Sequence, residues 1–543
     1  MKRREFIRDS SIASTAPFFF KKYSRINKPA GASVSIFLNE PIAKIRPEVY
    51  GHFAEHIGGV IYDGIWVGKD SKIPNINGFR KDLIEHMQQI KPGSLRWPGG
   101  CFADSYNWKD GVGLASSRPK RTNFWANTPF LRKAPDGPSK YEPNHFGTDE
   151  FLGLCELLET KPYLGANART LGPQDLMDWV EYCNAPVGTT TYGDQRAANG
   201  HRAPYQVEYW GVGNESWGCG GDMIPEDYAT EFRRFTSFIP HFDVNMKLVA
   251  VGPSDSWNRR DTEWTRRFFT SISERSAFWS DLMPRIQGYS IHFYCGTTGS
   301  SSLDYTDADY YEHLWRADQM EKIITEHWKV MGAFDFDRKI KLYVDEWGAW
   351  HLQKTEVHNT HLFGQTSTMR DALIAALTLD TFNRHADKVV MGNIAQLINN
   401  LHSLFLAHED RFAVTPNFHV FDMYKDHQNG TALRTEIQAP STGSERDLWG
   451  LAGSASQKDG KIFLTMVNPH LSETQETQIS IPGAKIKSAS ASVFRQDEVR
   501  AFNNLEQPNG IRPPIEEDLD VRSSEFIYSF KPASVTGLTL VME

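Results

Sequence analysis

The stretch Val207–Gly221, "VEYWGVGNESWGCGG", joins a run of strand-forming residues to a segment rich in Gly, Ser and Trp. β-Branched and aromatic residues favour an extended strand, and glycines disfavour its continuation. The carboxylate of Glu215 therefore stands where a strand is expected to stop. If this strand is one of several parallel strands in a barrel, its carboxyl end lies at the face where the chemistry of such folds takes place.

Short apolar runs of the same kind recur along the chain, with helical periodicity between them. Residues 78–91, for example, place Leu83, Ile84, Met87 and Ile90 on one face of a helix. About eight such strand-helix units predict an α/β fold built on a (β/α)8 TIM barrel. The strand candidates are EVYGHFAEH, GSLRWPGG, KPYLGANAR, VEYWGVGNE, MKLVAVGPS, GYSIHFYC, IKLYVDEW and DKVVMGNIAQLIN.

The pattern changes near residue 430, where short strands alternate with Gly, Ser, Asn and Pro and no helix-length pattern intervenes. This texture predicts an accessory β-sandwich, jelly-roll-like domain. A strand before the barrel is expected to join the same sandwich. The predicted division is a leader over 1–30, N-terminal strands over 31–46, the catalytic barrel over 47–428 and the C-terminal β-sandwich over 429–543.

The N-terminus suggests export. Arg3 and Arg4 precede a short uncharged Ser/Ala/Phe run, which has the order of a twin-arginine signal, so a periplasmic or extracellular location is expected. The alternative is a basic tail without export function, which would leave the protein cytoplasmic. The sequence has no long apolar segment, so no integral membrane span is expected in the mature chain. A net charge of -8 without a basic stripe argues against a nucleic-acid partner.

The cysteine content argues against a metal cage or a disulfide framework. The five cysteines are an odd set without a C-x-x-C pair, and we expect them to be mostly buried thiols. They are Cys101, Cys155, Cys183, Cys219 and Cys295.

Two glutamates carry the chemistry of the prediction. Glu215 ends the fourth strand candidate, and Glu346, in "KLYVDEWGAW", ends the seventh. Two carboxylates on the same rim of a barrel can face each other across a pocket. Glycoside hydrolysis needs such a pair, because one acid protonates the leaving oxygen and the other carboxylate attacks or activates water.

The ordered motifs resemble those of glycoside hydrolase family 51 α-L-arabinofuranosidases. They are YGHFAEHIGGVIYDGIWVG, LRWPGGCFADSYNWKDGVG, NHFGTDEFLGLCELL, GNESWGCGG, HFYCG, DEWGAW and NIAQLINNL. The resemblance implies a barrel with a small β-sandwich, a retaining double displacement and assembly into homo-oligomers. It also implies a terminal arabinofuranosyl substrate on an arabinose-containing polysaccharide or oligosaccharide, and chemistry that needs no metal or organic cofactor.

The family's catalytic roles carry over by resemblance, with Glu215 as acid/base and Glu346 as nucleophile. Asn214 resembles the residue that hydrogen-bonds the sugar 2-hydroxyl, although a turn asparagine is the plain alternative. The raised pKa that an acid needs is expected for Glu215. The other residues that resemble substrate-binding or positioning groups are Glu55, Arg96, Cys101, His292, Tyr294 and Gln396.

Structural explanations compete for several of these residues. Cys101 could serve packing alone, His292 and Tyr294 could be satisfied core residues, and Gln396 is nearly as well explained without a ligand. The sequence also departs from the family pattern, with Gly58-Gly59 where many members have a basic residue and a longer segment over 116–140. These departures bear on the aglycone side of the pocket.

The predicted function is therefore a retaining, exo-acting α-L-arabinofuranosidase acting on arabinose-containing hemicellulose or pectin. The same two-glutamate barrel leaves a β-xylosidase or an endo-β-glucanase open. A carbohydrate-binding protein that has lost its chemistry is the alternative from another class.

Overall fold

The computed structural model describes residues 31–129, 131–256, 261–274, 282–296, 298–352, 357–443 and 446–543. The predicted leader over 1–30, with its Arg-Arg pair, lies outside the described residues. Within those described, no helix is both long and apolar enough to cross a membrane.

The chain alternates strands and helices up to residue 424 and continues as strands alone from residue 431. The strands are β1 (Ala32–Lys44), β2 (Gly51–Phe53), β3 (Asn75–Ile76), β4 (Phe79–Arg80), β5 (Ser94–Trp97), β6 (Arg121–Thr122), β7 (Tyr141–Glu142), β8 (Lys161–Ala166), β9 (Tyr209–Val212), β10 (Lys247–Ala250), β11 (Gly288–Gly296), β12 (Lys341–Trp350), β13 (Val389–Ala395), β14 (Phe405–His408), β15 (Arg411–Val414), β16 (Thr431–Gln438), β17 (Ala452–Lys458), β18 (Lys461–Asn468), β19 (Gln475–Ser480), β20 (Ile486–Phe494), β21 (Ile515–Leu519), β22 (Glu525–Phe530) and β23 (Ser534–Met542). The α-helices are α1 (Lys81–Ile90), α2 (Thr148–Leu158), α3 (Pro173–Asn184), α4 (Thr191–Ala198), α5 (Pro225–Phe235), α6 (Thr262–Glu274), α7 (Asp307–Met331), α8 (Met369–Arg384) and α9 (Pro416–Tyr424).

Eight strands close into a barrel in the order β2-β5-β8-β9-β10-β11-β12-β13, and every pairing between them is parallel. Each of these strands is followed by an α-helix before the next barrel strand or the end of the barrel. The helix α1 buries Leu83, Ile84, Met87 and Ile90, the face that its periodicity predicts. The predicted (β/α)8 barrel is confirmed.

The accessory β-domain is one nine-stranded sheet in the order β21-β20-β23-β18-β17-β16-β1-β19-β22. The first strand of the chain, β1, pairs antiparallel with β16 and parallel with β19. Apolar residues from distant strands of this sheet share one core, including Val34, Leu464, Ile479 and Leu540. The sheet therefore encloses a core of its own beside the barrel.

Helix α8 connects the β-domain to the barrel. Every residue from Met369 to Asn383 is buried, which shows that the helix is covered on all sides. The carboxylate of Asp380 accepts hydrogen bonds from Ser454 Oγ at 2.7 Å and Thr465 Oγ1 at 2.6 Å in the sheet. On the barrel side, Tyr50 donates its hydroxyl to Asn383 Oδ1 at 2.8 Å. Hydrogen bonds therefore join α8 both to the sheet and to the segment before β2.

Candidate active site

Glu215 and Glu346 meet at the carboxyl end of the barrel. Glu215 lies in the loop after β9 with a left-handed backbone, φ 38°. Glu346 lies within β12, which continues to Trp350 because residues 346–350 pair with β11, so it does not end the strand as predicted. One oxygen of each carboxylate and one ring nitrogen of His292 lie within 4.8 Å of one another.

Two buried donors hold the carboxylate of Glu346. Arg96, on β5, donates from Nη1 to Glu346 Oε1 at 2.8 Å. Tyr294, on β11, donates its hydroxyl to Glu346 Oε2 at 2.8 Å. These bonds orient the carboxylate of Glu346, whose side chain is 7% exposed.

Glu215 faces a different environment. Burial raises the pKa of Glu215, and the nearby charge of Glu346 adds to this, whereas the hydrogen bond from His292 opposes it. His292 Nδ1 lies 2.9 Å from Glu215 Oε1, and its Nε2 lies 3.0 Å from Asp345 Oδ1. The raised pKa expected of the acid agrees with this environment.

His292 is a buried cation. Burial alone would lower its pKa, but the charges of Glu346 and Asp345 and hydrogen bonds to Asp345 and Glu215 raise the pKa of His292 to about 10. In this form Nδ1 donates to Glu215, and Nε2 forms an ion pair with Asp345. His292 therefore links Asp345 in β12 to Glu215 in the loop after β9.

Asn214 is oriented from two sides. Its Oδ1 accepts a hydrogen bond from Arg96 Nη2 at 2.6 Å, and its backbone N–H donates to Asp104 Oδ2 at 2.8 Å. The other oxygen of Asp104 accepts from the backbone N–H of Ala168 at 2.7 Å. Asp104 thereby joins the loops after β5, β8 and β9.

Glu55 and Gln396 form a second polar pair in the same pocket, after β2 and β13. Gln396 donates from Nε2 to Glu55 Oε2 at 3.0 Å and accepts from the Glu55 backbone N–H at 3.1 Å. Glu55 Oε1 accepts from the Phe102 N–H at 2.9 Å and from Trp125 Nε1 at 3.3 Å. Burial, together with the charge of Glu346, raises the pKa of Glu55 to about 7 against these hydrogen bonds.

The turn between β5 and Cys101 depends on close packing. A Cβ atom added at Gly100 would lie 2.8 Å from Glu346 Oε1 and 3.5 Å from Asn214 Nδ2. Gly100 does not have a positive φ. A side chain is therefore excluded here by the approach of the backbone to the catalytic groups.

The expectation that the cysteines are unpaired thiols is wrong for two of them. Cys101 and Cys219 form a disulfide across 118 residues, while Cys155, Cys183 and Cys295 are buried free thiols. Cysteine count and spacing carry no sign of the pair, because the loops after β5 and β9 meet only in the closed barrel. Cys219 Sγ lies 3.7 Å from Glu215 Oε2, so the disulfide borders the carboxylate of Glu215.

All nine predicted site residues thus lie at one end of the barrel, connected by hydrogen bonds, the disulfide or close contact. Sequence reasoning missed three groups that hold them: Asp345, Asp104 and Trp125. Asp345 directly precedes Glu346 in the sequence, and this adjacency was a usable signal. Asp104 and Trp125 lie in loops, where sequence periodicity does not indicate which way a side chain points.

Three side-chain groups among the described residues could hold a metal ion. Glu215, His292 and Glu346 already bond to protein partners as described. The second group contains Cys101 and Cys219, whose sulfurs are oxidised and so are not thiolate ligands. The third is formed by His358, His361 and His408 and lies outside the catalytic pair.

Comparison with known proteins gives consistent matches. Family models described as "Alpha-L-arabinofuranosidase 1 domain" and "Alpha-L-arabinofuranosidase C-terminal domain" match residues 86–271 and 345–534. The chain is 34% identical over 538 residues to the "Intracellular exo-alpha-L-arabinofuranosidase" of Bacteroides ovatus, with 97% of this chain and 99% of the relative covered.

Solved structures agree. The GH51 arabinofuranosidase from Xanthomonas axonopodis pv. citri is 33% identical with a TM-score of 0.85, covering 94% of this chain and 99% of that one. The arabinose complex of the Thermotoga maritima α-L-arabinofuranosidase is 27% identical with a TM-score of 0.80, covering 94% of this chain and 100% of that one.

The expectation of export is contradicted by these matches. The Bacteroides ovatus relative, aligned over 97% of this chain, is named an intracellular enzyme. An Arg-Arg pair before a short and weakly apolar run is also compatible with an ordinary basic N-terminus. The motif alone therefore does not distinguish an export signal from such a segment.

Proposed function

Because the chain belongs to the α-L-arabinofuranosidases of glycoside hydrolase family 51, we propose that it releases terminal α-L-arabinofuranosyl residues from arabinose-containing hemicellulose or pectin. The observation that carries this proposal is the pairing of Glu215 and Glu346, with carboxylate oxygens within 4.8 Å at the end of the barrel. The names of the relatives indicate arabinofuranose as the sugar. The pair of carboxylates supports glycoside hydrolysis as the reaction.

The close approach of one oxygen of Glu215 to one oxygen of Glu346, within 4.8 Å, supports a retaining reaction. Retaining glycosidases hold their two carboxyl groups about 5–5.5 Å apart, whereas inverting enzymes leave about 6.5–9.5 Å for a water molecule. In the first step, Glu346 attacks the anomeric carbon while Glu215 protonates the departing oxygen. In the second, Glu215 removes a proton from water, which attacks the anomeric carbon and displaces Glu346 with net retention.

The electrostatic environment supports this division of roles. Arg96 donates to one oxygen of Glu346 and Tyr294 to the other, which aligns the carboxylate for attack. Glu215 has a raised pKa through burial, so it can start the reaction protonated. The neighbouring carboxylates raise the pKa of His292, so its ring is positively charged beside Glu215. This charge can stabilise the carboxylate that Glu215 becomes after it gives up its proton.

The remaining polar groups supply contacts for the furanose hydroxyls. Asn214 is held by Arg96 next to the acid, in a position suited to the 2-hydroxyl. Glu55 and Gln396 present carboxylate and amide groups from just after the neighbouring strands β2 and β13. Cys101 borders the pocket through its disulfide and acts by shaping it.

Two further predictions stay open to measurement. Homo-oligomer formation is tested by light scattering at the concentrations used for kinetics. The division into 31–46, 47–428 and 429–543 is supported by the pairing of β1 with β16 and β19, and limited proteolysis tests whether cleavage falls near residue 428.

The test of the function compares wild type with Glu215→Ala on substrates that differ in leaving group. Wild type is expected to hydrolyse p-nitrophenyl α-L-arabinofuranoside, and the β-D-xyloside and β-glucan only weakly or not at all. In the variant, hydrolysis of an arabino-oligosaccharide should fall far more than that of the p-nitrophenyl glycoside, because p-nitrophenolate leaves without acid assistance.

The matched control is Glu517→Ala, which removes an exposed glutamate of β21 and should leave both activities unchanged. Hydrolysis of xyloside or β-glucan without arabinofuranoside turnover would replace the proposed sugar. Sugar binding without any turnover would instead favour a carbohydrate-binding protein.

A further inference from the structure

A group of three histidines lies on the loops at the mouth of the barrel. His358 and His361 belong to the segment between β12 and α8, and His408 ends β14. One ring nitrogen from each lies within 4.8 Å of the other two. The rings of His358 and His408 stack at a centroid distance of 3.9 Å, and His361 meets them edge-on at 5.3 and 5.6 Å.

A carboxylate from a third loop supports two of these rings. Asp63, after β2, has Oδ2 at 2.7 Å from His408 Nδ1 and 3.3 Å from His361 Nε2. Its Oδ1 accepts the backbone N–H of Glu409 at 2.8 Å. Asp63 adopts a left-handed backbone with φ 76°, uncommon for a residue other than glycine. The carboxylate is thus directed at the histidines.

The ring nitrogens of the three histidines differ in whether they have hydrogen-bond partners. His361 Nδ1 is buried and has no hydrogen-bond partner among the described residues, an arrangement that costs free energy unless something binds there. His408 uses Nδ1 for Asp63, and His358 uses Nδ1 for Thr360 Oγ1 at 2.8 Å. Metal-bound histidines in proteins characteristically give the other ring nitrogen to a carboxylate or similar group.

We propose that His358, His361 and His408 bind one Zn²⁺ ion, with Asp63 as the carboxylate that orients two of the rings. Imidazole nitrogens suit zinc, and three of them with one further ligand complete its usual coordination. Zinc–nitrogen bonds of about 2.0–2.1 Å place tetrahedral ligands about 3.3 Å apart. Binding would require side-chain rotations that bring the nitrogens closer and unstack the rings of His358 and His408, because the in-plane lone pairs of stacked rings do not converge on one ion.

The ion would tie loops that form one wall of the sugar pocket. Ser139 Oγ contacts the backbone oxygens of Gly58 and Thr360 at 3.4 and 3.1 Å, so the loops after β5, β2 and β12 already meet here. Phe363, two residues beyond His361, packs against Trp125 at a centroid distance of 5.8 Å. Trp125 in turn donates to Glu55. The role is structural, apart from the catalytic carboxylates.

The experiment measures Zn²⁺ binding to the chelator-treated full-length chain by calorimetry and by metal analysis after dialysis. Wild type is expected to bind one Zn²⁺ per chain. The double variant His358→Ala, His408→Ala should lose this binding, and Asp63→Asn should weaken it about 10- to 100-fold, the usual effect of losing an orienting carboxylate. His201→Ala removes a histidine from a surface loop and serves as the matched control.

Glu346→Gln separates this site from the catalytic group, and it should bind Zn²⁺ as wild type does. The proposal is overturned if wild type binds no stoichiometric Zn²⁺. It is equally overturned if binding survives in the histidine double variant but is lost in Glu346→Gln. Should the double variant fail to fold, as judged by circular dichroism, the single variant His358→Ala and Asp63→Asn decide, and unchanged affinity in both overturns the proposal.

Discussion

Replacing Arg96 by Lys tests the central hydrogen bonds of the site. The Arg96 side chain is 3% exposed, and its guanidinium donates to Glu346 Oε1 at 2.8 Å and to Asn214 Oδ1 at 2.6 Å. A lysine keeps the positive charge near Glu346 but has no planar fork with which to hold both acceptors. We therefore expect Arg96→Lys to release Asn214 while preserving charge balance.

The magnitude follows from the lost bond. A hydrogen bond to a charged group contributes about 1.5–3 kcal/mol, which corresponds to a fall in kcat/KM of about 10- to 150-fold if the bond acts fully in the transition state. Stability should change less than in Arg96→Met, which leaves buried carboxylates without a counterion at a cost of about 3–5 kcal/mol.

The assay is a double-mutant cycle on p-nitrophenyl α-L-arabinofuranoside with Arg96→Lys, Asn214→Ala and the combined variant, and with Tm measured for each. If Arg96 acts through Asn214, the two losses will not add. Arg434→Lys, at a half-exposed position in β16, is the control. Fully additive losses, or a kcat/KM of Arg96→Lys within threefold of wild type, would refute the reasoning.

Three other predictions concern the nucleophile, the disulfide and a buried histidine. Glu346→Ala should lower kcat at least about 10⁴-fold with an unchanged circular dichroism spectrum, and nearly full activity would contradict the nucleophile role. Because Cys101 and Cys219 are paired, the denatured chain should titrate three thiols before reduction and five after it; five without reductant would exclude the bond. Burial lowers the pKa of His427 to about 3, so below its ordinary value the unfolded chain takes up a proton that the folded chain does not. The contribution of His427 to the free energy of unfolding is therefore fully present above about pH 6.5, and it falls by roughly 2 kcal/mol between pH 6.5 and 5. His427→Gln should show a smaller fall in Tm from pH 7 to 5, and equal falls would contradict this origin.

The fold was predictable because barrel strands are buried on both faces. Strands such as β9 and β11 are buried at every residue, and they appear in the sequence as short continuous apolar runs. The helices between them reveal one apolar face each, as α1 does. Strand lengths were less predictable, because the extension of β12 to Trp350 depends on pairing with β11, which periodicity does not report.

The site was predictable to the extent that its residues follow strands. Arg96, His292 and Glu346 lie in barrel strands, and Asn214 and Gln396 follow barrel strands within two residues. Their common location therefore follows from the barrel alone. Asp104, Trp125 and the pairing of Cys101 with Cys219 were missed. Their positions depend on the paths of long loops, which are set by contacts between segments distant in sequence.

The charges of the buried cluster explain why the proton belongs on Glu215. Asp345 and Glu346 are opposed by Arg96 and His292, all with side chains at most 7% exposed, so these four groups balance as two negative and two positive charges. Ionised Glu215 would add an uncompensated negative charge where little water can screen it. The side chain of Glu215 is also more exposed than that of Glu346, at 17% against 7%. This exposure gives the proton of Glu215 access to a substrate oxygen. The four charges that balance one another thus lie on barrel strands. The proton that is transferred lies on Glu215, in the loop after β9.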